Sequence, residues 1–230
     1  MKNIVILTGA GMSVESGLAT FRGGGLWDNY PVEKVATPEG FHENPALVLE
    51  FYNKRRRELL KVKPNEGHRL VAAMEERFAV TVVTQNVDDL HERAGSTNVI
   101  HLHGELMKVC SSLNPNNLEY VYDLPSPDTE LHVGDRAGDG SQVRPYIVWF
   151  GESVPLMDDA VQALRNIDAF VIIGTSLNVY PAAGLLDYVP YGVPVYLIDP
   201  NDVHVTRRDV VVIRKGASEG MRILMDEYLK

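Results

Sequence analysis

Asn3-Ile4-Val5-Ile6-Leu7-Thr8-Gly9-Ala10-Gly11-Met12-Ser13 sets an apolar run directly before a cluster of small residues. An apolar run of this length, stopped by a turn signal, predicts a strand buried on both faces, as in a parallel sheet covered by helices. The small residues continue towards Glu15-Ser16-Gly17. They would let backbone approach a phosphate, and a helix starting there would offer free N–H groups. As a dinucleotide fingerprint the G-x-G is incomplete, because Val14 stands at the third glycine position. A tight strand-to-helix turn explains the same residues equally well.

Working outward, apolar runs at Val80–Thr84, Val99–Leu102, Tyr146–Trp149, Ala169–Ile173, Val195–Ile198 and Asp209–Ile213 predict further strands. Helical stretches fall between them: Pro45–Leu60 after the cap Asn44, Glu66–Phe78 after Asn65, Asp88–Ala94 closed by Gly95, Leu156–Asn166 and Ser218–Leu229. This alternation predicts an α/β fold with a Rossmann-like, doubly wound parallel sheet. Residues 105–144 break it. They are polar and rich in Pro, Gly, Asn and Asp, with only short β-like pieces at Leu106–Cys110 and Leu118–Tyr122, which predicts a small inserted module.

The 230 residues, 45% of them hydrophobic, suffice for one substantial core. No apolar run reaches the roughly 18–20 residues that span a bilayer, and Met1–Leu7 lacks the layout of a signal peptide. The expectation is a cytoplasmic protein with no membrane partner. The net charge of −9 argues against nonspecific nucleic-acid binding and mildly favours lysine-rich partners, although a charge that simply keeps the chain soluble explains it too. The single cysteine, Cys110, excludes an internal disulfide framework and a four-cysteine zinc site.

In open α/β sheets ligands bind beyond the carboxyl ends of the strands, and the unusual residues sit there. Gln85-Asn86-Val87-Asp88 offers two amides and a carboxylate suited to ribose hydroxyls and a carboxamide, though Asp88 could equally be a helix cap. His101-Leu102-His103-Gly104-Glu105 places two histidines on one strand face, so a two-histidine metal site has to be weighed. No third ligand is spaced to complete it. One catalytic imidazole at the strand end, His103, with a pKa near 6.5, is preferred as general base. Gly174-Thr175-Ser176 repeats the phosphate-type chemistry of the first loop. No G-x-S-x-G elbow is present, which argues against a serine hydrolase.

Taken together, Gly9-Ala10-Gly11-Met12-Ser13-Val14-Glu15-Ser16-Gly17-Leu18-Ala19-Thr20-Phe21-Arg22, Thr84-Gln85-Asn86-Val87-Asp88, His103-Gly104-Glu105, Phe150-Gly151-Glu152 and Gly174-Thr175-Ser176 closely resemble the signature of the sirtuins, in that family's order. The resemblance implies a single catalytic domain over 1–230. Its Rossmann-like core would take about 1–35, 64–104 and 145–230, and its small module the insertions 36–63 and 105–144. It implies an NAD-dependent protein-lysine deacylase that consumes NAD as co-substrate and acts on acylated lysine side chains.

By the same resemblance, Gly9, Ala10, Gly11, Ser13, Gly17, Phe21, Arg22, Trp27, Gln85, Asn86, Val87, Asp88, His103, Gly174, Thr175, Ser176, Asp199 and Ala217 would bind NAD. Asp199 stands where the family commonly has asparagine. His103 and Asn86 would be catalytic, and the acyl oxygen would attack the ribose carbon as nicotinamide leaves. Val148, Phe150, Gly151 and Glu152 would hold the substrate, with Phe150–Pro155 extended to pair with its backbone. The family's structural zinc normally uses two cysteine pairs. Here Leu113 stands where the mate of Cys110 would fall, so zinc is expected to be absent and the module to rest on strand pairing and packing. Tyr52 and Arg55, at i and i+3 on one helix, resemble the pair of sirtuins acting on acidic acyl groups, and a guanidinium with a phenol suits a succinyl or malonyl carboxylate. A buried Tyr52 beside an ordinary solvated basic face is the bland alternative. The competing functions are an ADP-ribosyltransferase or NAD hydrolase, and a non-catalytic NAD or ADP-ribose sensor.

Overall fold

The computed structural model describes residues 1–20, 30–205 and 207–229. Six strands form one parallel sheet: β1 (Asn3–Thr8), β2 (Ala79–Thr84), β3 (Val99–His101), β7 (Ala169–Ile173), β8 (Val195–Ile198) and β9 (Val210–Ile213). Their order is β3-β2-β1-β7-β8-β9. The chain therefore leaves β1 in one direction and returns on its other side at β7, and the crevice between those two strand ends is the switch point where such sheets hold ligands.

The apolar runs are apolar on both sides because both faces are covered. Ile4, Ile6, Val82, Val171 and Ile198 pack with α4 (Glu66–Ala73) and α7 (Ala217–Ile223). Val5, Leu7, Val83, Phe170 and Ile172 pack on the opposite face with α6 (Met157–Ala163) and the 3-10 segment Ala182–Tyr188. The predicted helix Glu66–Phe78 is shorter than read, finishing as a 3-10 turn at Met74–Glu76, and the C-terminal helix passes into a π turn at Leu224–Tyr228. Asn65 caps α4 through a reciprocal pair with His68: its Oδ1 accepts from His68 N–H, and its own N–H donates to His68 Nδ1.

The second unit is a three-stranded antiparallel sheet, β5 (Val121–Asp123), β4 (Gly104–Ser111) and β6 (Val143–Ile147), in the order β5-β4-β6. The run Tyr146–Trp149, read as a parallel-sheet strand, belongs here instead. It is apolar because Ile147 and Trp149 enter a separate core with Phe41, Leu49, Phe51, Tyr52 and Leu106. The stretch Leu118–Tyr122 divides into a 3-10 turn at Leu118–Tyr120 and β5. Helices α1 (Val32–Val35) and α2 (Pro38–Glu43), not foreseen from the sequence, pack with α3 (Pro45–Leu59) over this core. Asn44 and Pro45 start α3 as expected, with Asn44 Oδ1 accepting from Leu47 N–H at 3.0 Å. Cys110 is fully buried, its thiol pushed up to about 11 by burial. Beside it a polar clasp closes the module: Ser111 Oγ donates to Asp139 Oδ2 at 2.6 Å and lies 2.9 Å from Ser141 Oγ, and Asn114 Nδ2 donates to the same carboxylate at 3.1 Å. No helix among the described residues is long and apolar enough to cross a membrane.

Candidate functional site

The loops after β1 and β7 lie back to back. Gly9 N–H donates to Ile173 O at 3.0 Å and Gly11 N–H to Gly174 O at 2.8 Å. A Cβ on Gly11 would stand 2.6 Å from Gly174 Cα, and one on Gly174 would stand 2.4 Å from Met12 N. Neither position tolerates a side chain. These glycines are thus required first by each other, and the backbone left open at the switch point is a consequence. Ala10–Ser16 winds into a short 3-10 helix that ends at Gly17, whose φ is +99°.

The loop after β2 docks onto this pair through its side chains. Asn86 Nδ2 donates to Gly9 O at 3.0 Å and reaches Ser13 Oγ at 3.3 Å, while Ser13 Oγ donates to Asp88 Oδ2 at 2.9 Å. Asp88 also takes Leu90 N–H on Oδ1 at 3.2 Å, which ties it to the first turn of α5 (Leu90–Ala94), although the residue at the cap position itself is Asp89. Burial raises the Asp88 pKa against the lowering by Ser13 and by Leu90 N–H. Gln85 Nε2 donates to Thr175 Oγ1 at 3.0 Å, joining the second loop to the third. Beneath them Thr8 Oγ1 donates to Thr84 Oγ1 at 2.8 Å, and Thr84 Oγ1 accepts Asn86 N–H at 3.0 Å.

The two histidines have parted roles. His103 Nδ1 is 3.1 Å from Gln85 O. A carbonyl only accepts, so Nδ1 carries the proton and Nε2 keeps the lone pair of a base. Burial lowers the His103 pKa, against the raising by that hydrogen bond. The next residue has to be glycine: Gly104 has φ +82°, and a Cβ there would lie 2.1 Å from Tyr146 O. His101 is instead buried between Asn86 O, 3.1 Å from Nδ1, and Glu92 Oε1, 2.7 Å from Nε2. Burial pulls the His101 pKa down, but the Glu92 bond and charge outweigh it and the net shift is upward. Among the described residues no group of three or more His, Cys, Asp or Glu could hold a metal ion.

Ala10, Ser13, Leu18, Ala19, Asn86, Val87 and Asp88 line a cavity that Arg55, Leu59 and Leu106 complete from the small module. Arg55 is buried, and its Nη1 donates to Glu58 Oε2 at 2.8 Å. Tyr52, one turn earlier, is not among the lining residues. Its hydroxyl accepts from Trp149 Nε1 at 3.0 Å, and burial raises its pKa far above the usual phenol value, so it remains protonated. The basic run is only half solvated: Arg55 and Arg56 are buried, with Arg56 donating to Asn53 Oδ1, whereas the exposed Arg57 bridges Glu50 and Glu130 and the exposed Lys54 stands 5.5 Å from the Tyr30 ring.

Phe150–Pro155 is not uniformly extended. Residues 149–152 form a turn closed by Glu152 N–H on Trp149 O at 3.0 Å, with Gly151 at φ +90°. The Glu152 carboxylate turns inward to Arg144 at 2.7 and 2.8 Å and accepts Trp149 N–H at 2.8 Å, so its side chain is committed within the protein. Arg144 in turn lies 3.6 Å from the centre of the Trp149 ring. Val148 N–H donates to His103 O at 2.9 Å, and Phe150 is 45% exposed.

Asp199 directly follows β8, its Oδ1 accepting from Asn201 N–H at 2.8 Å, and Ala217 opens α7. Thr175 is buried and Ser176 exposed. The residues Phe21, Arg22 and Trp27 lie outside the described residues. A larger open cleft lined by Asn3, Thr81, Asn98 and Asn166 sits at the amino ends of the strands, the end opposite to where ligands bind in such sheets.

The Sir2 family model matches residues 9–181. The NAD-dependent protein deacylase of Bacteroides thetaiotaomicron is 63% identical over 226 residues, covering 97% of each chain, and that of Helicobacter pylori strain J99 is 47% identical over all of this chain and 97% of its own. Among solved structures, a Sir2 homolog–NAD complex superposes with a TM-score of 0.86 at 38% identity over 98% of this chain and 88% of that one. A Sir2 complex with a p53 peptide and NAD+ superposes with 0.78 at 31% identity over 97% and 92%.

Proposed function

This chain belongs to the Sir2 family and is an NAD-dependent protein deacylase, and we propose that it removes succinyl and malonyl as well as acetyl groups from protein lysines, with nicotinamide and O-acyl-ADP-ribose as products. The observation that carries the acyl reading is Arg55, a buried guanidinium on the wall of the cavity that Asn86 and Asp88 also line. A cation so placed serves a carboxylate better than a methyl group. The Tyr52 hydroxyl, kept protonated by burial and held by Trp149 Nε1, does not line this cavity, so the acyl reading rests on Arg55.

The residues present fit NAD. The loops at Gly9–Ser13 and Gly174–Ser176 bring small side chains and backbone to the switch point for a pyrophosphate, with Ala10, Gly11, Ser13, Thr175 and Ser176 nearest that task. Asn86 and Asp88 would position the nicotinamide end, Gln85 a ribose, and Asp199 and Ala217 the adenosine end. When bound, NAD supplies a ribose carbon bearing a good cationic leaving group. His103 Nε2 takes a proton from a ribose hydroxyl, since Gln85 O holds the ring in that tautomer. Val148, whose N–H donates to His103 O, leads into Phe150 and Gly151, and these three would meet the substrate backbone while Glu152 holds their turn. In this reading residues 1–230 act as one catalytic unit, with the Rossmann-like core at about 1–35, 64–104 and 145–230 and the small module at 36–63 and 105–144.

Replacing Arg55 by Met tests the acyl assignment. Desuccinylation should fall by about 100-fold or more while deacetylation is kept or improved, because only the acidic substrate then buries an unpaired carboxylate. An equal fall in both activities, measured on peptides differing only in the acyl group, would mean that the helix supports the fold and does not select the acyl group.

A further inference from the structure

We infer that Glu58 determines how readily the enzyme accepts an acidic acyl group, by holding Arg55 until the acyl carboxylate displaces it; this rests on the reading of Arg55 as the acyl-carboxylate site. Among the described residues Glu58 is the one side-chain partner of Arg55, at 2.8 Å. The other cations of the run are engaged elsewhere: Arg56 with Asn53, Arg57 with Glu50 and Glu130, and Lys54 over Tyr30. Arg55 is therefore the cation of this helix that both lines the cavity and has a partner able to leave.

Leaving is easy for Glu58 and not for Arg55. The side chain of Glu58 is 38% exposed, that of Arg55 only 10%. The carboxylate, in the last turn of α3, can swing into water, while the guanidinium stays in the wall. A guanidinium offers a planar fork of donors that two parallel N–H···O bonds to one carboxylate fill best. With Glu58 on Nη1, an incoming succinyl or malonyl carboxylate meets a partly used fork and a like charge beside it. With a neutral acetyl group the Arg55–Glu58 pair stays closed, and no uncompensated cation faces the methyl. Glu58 thus lowers apparent affinity for acidic acyl groups and has little effect on that for neutral ones.

The test is the Glu58→Gln variant, which keeps length and helix propensity and removes the charge, assayed on succinyl-, malonyl- and acetyl-lysine peptides of one sequence. A partly exposed ion pair is worth up to about 1 kcal/mol, so KM for the acidic peptides should fall by about 3- to 5-fold. Their kcat should be unchanged, and KM for the acetyl peptide should stay within about twofold. Glu58→Asp, which keeps the charge but draws it back by one methylene, should resemble Glu58→Gln. An unchanged or raised succinyl KM in Glu58→Gln overturns the inference, and so does a wild-type KM in Glu58→Asp, which would make distant charge the cause and not the contact. Arg55→Met in the same assay separates the two levels: if it still removes succinyl groups, the carboxylate site itself is misassigned. If it loses that activity while Glu58→Gln leaves KM unmoved, only the role of Glu58 fails.

Discussion

His103 and His101 stand two residues apart, yet their surroundings drive them in opposite directions. Burial lowers the pKa of His103, while the Glu92 carboxylate overcomes burial and raises that of His101. A base has to be deprotonated to act, so turnover should be complete above the pKa of His103 and fall as pH drops through it. The acid limb of kcat/KM should accordingly have its midpoint below 6.5, and a midpoint above 7 would point to His101 or another group as the one titrating. His103→Ala should retain NAD binding, read by calorimetry, and lose about 100- to 10,000-fold in turnover, the range for removal of a general base. A histidine at a strand end before glycine marked this residue in the sequence. Its tautomer was illegible there, because the carbonyl that fixes it belongs to Gln85 on a different loop. Glu92 was missed for the same reason: nothing in a helix of ordinary composition announces that one carboxylate turns back to a buried imidazole.

The strands and main helices were legible because their signals are local: apolar runs for β1, β2, β7 and β8, and the Asn44 and Asn65 caps for α3 and α4. Strand β6 was legible as a strand but not as an antiparallel one, since an apolar run records burial and says nothing about the direction of its neighbour. Helices α1 and α2 are too short for a helical period to emerge. The turn after β6 hid its purpose as well. Glu152, read as a substrate contact, holds Arg144, and Arg144 lies on Trp149, whose indole donates to Tyr52 on α3. Helix α3 and the turn after β6 are thereby tied through one buried pair, with side-chain exposures of 4% for Arg144 and 14% for Glu152. Removing one partner of such a pair leaves a buried charge uncompensated. Glu152→Ala should cost about 3–5 kcal/mol in urea unfolding, whereas the same change at Glu43, paired with Lys34 on the surface, should cost under about 1 kcal/mol. Similar losses at the two positions would show that the Arg144 pair is not the tie between α3 and the turn.

Stability of the whole chain should depend on pH through imidazoles that take no part in the chemistry. His68 on α4 and His91 on α5 are buried with ring centres 4.9 Å apart, and His91 Nε2 lies 3.1 Å from Thr8 Oγ1, beneath the loops of the site. Desolvation lowers His68 to about 4 and His91 well below its ordinary value. Both are therefore neutral in the native state at pH values where the unfolded chain binds a proton near 6.5. In that window the unfolded state holds more protons, so stability rises with pH. It is fully present above about 6.5 and is lost progressively as pH falls towards 4. For His68 alone a gap of this size is worth on the order of 3 kcal/mol, and His91 adds to it in the same direction. His101 has the opposite sign: its raised pKa favours the native state below 6.5 and gives that up as pH rises through the raised value, which offsets part of the acid loss. His103, lowered by burial as well, has the sign of His68 and His91, and three depressed histidines against one raised one leave a net loss in acid. Chemical denaturation between pH 7.5 and 4.5 should show the unfolding free energy falling steeply below 6.5, and His68→Gln should flatten that slope even if it lowers the plateau. A slope unchanged in His68→Gln would place the proton uptake on other groups. Since His91 supports Thr8 and Thr8 supports the Thr84–Asn86 turn, NAD affinity should fall over the same pH interval as stability.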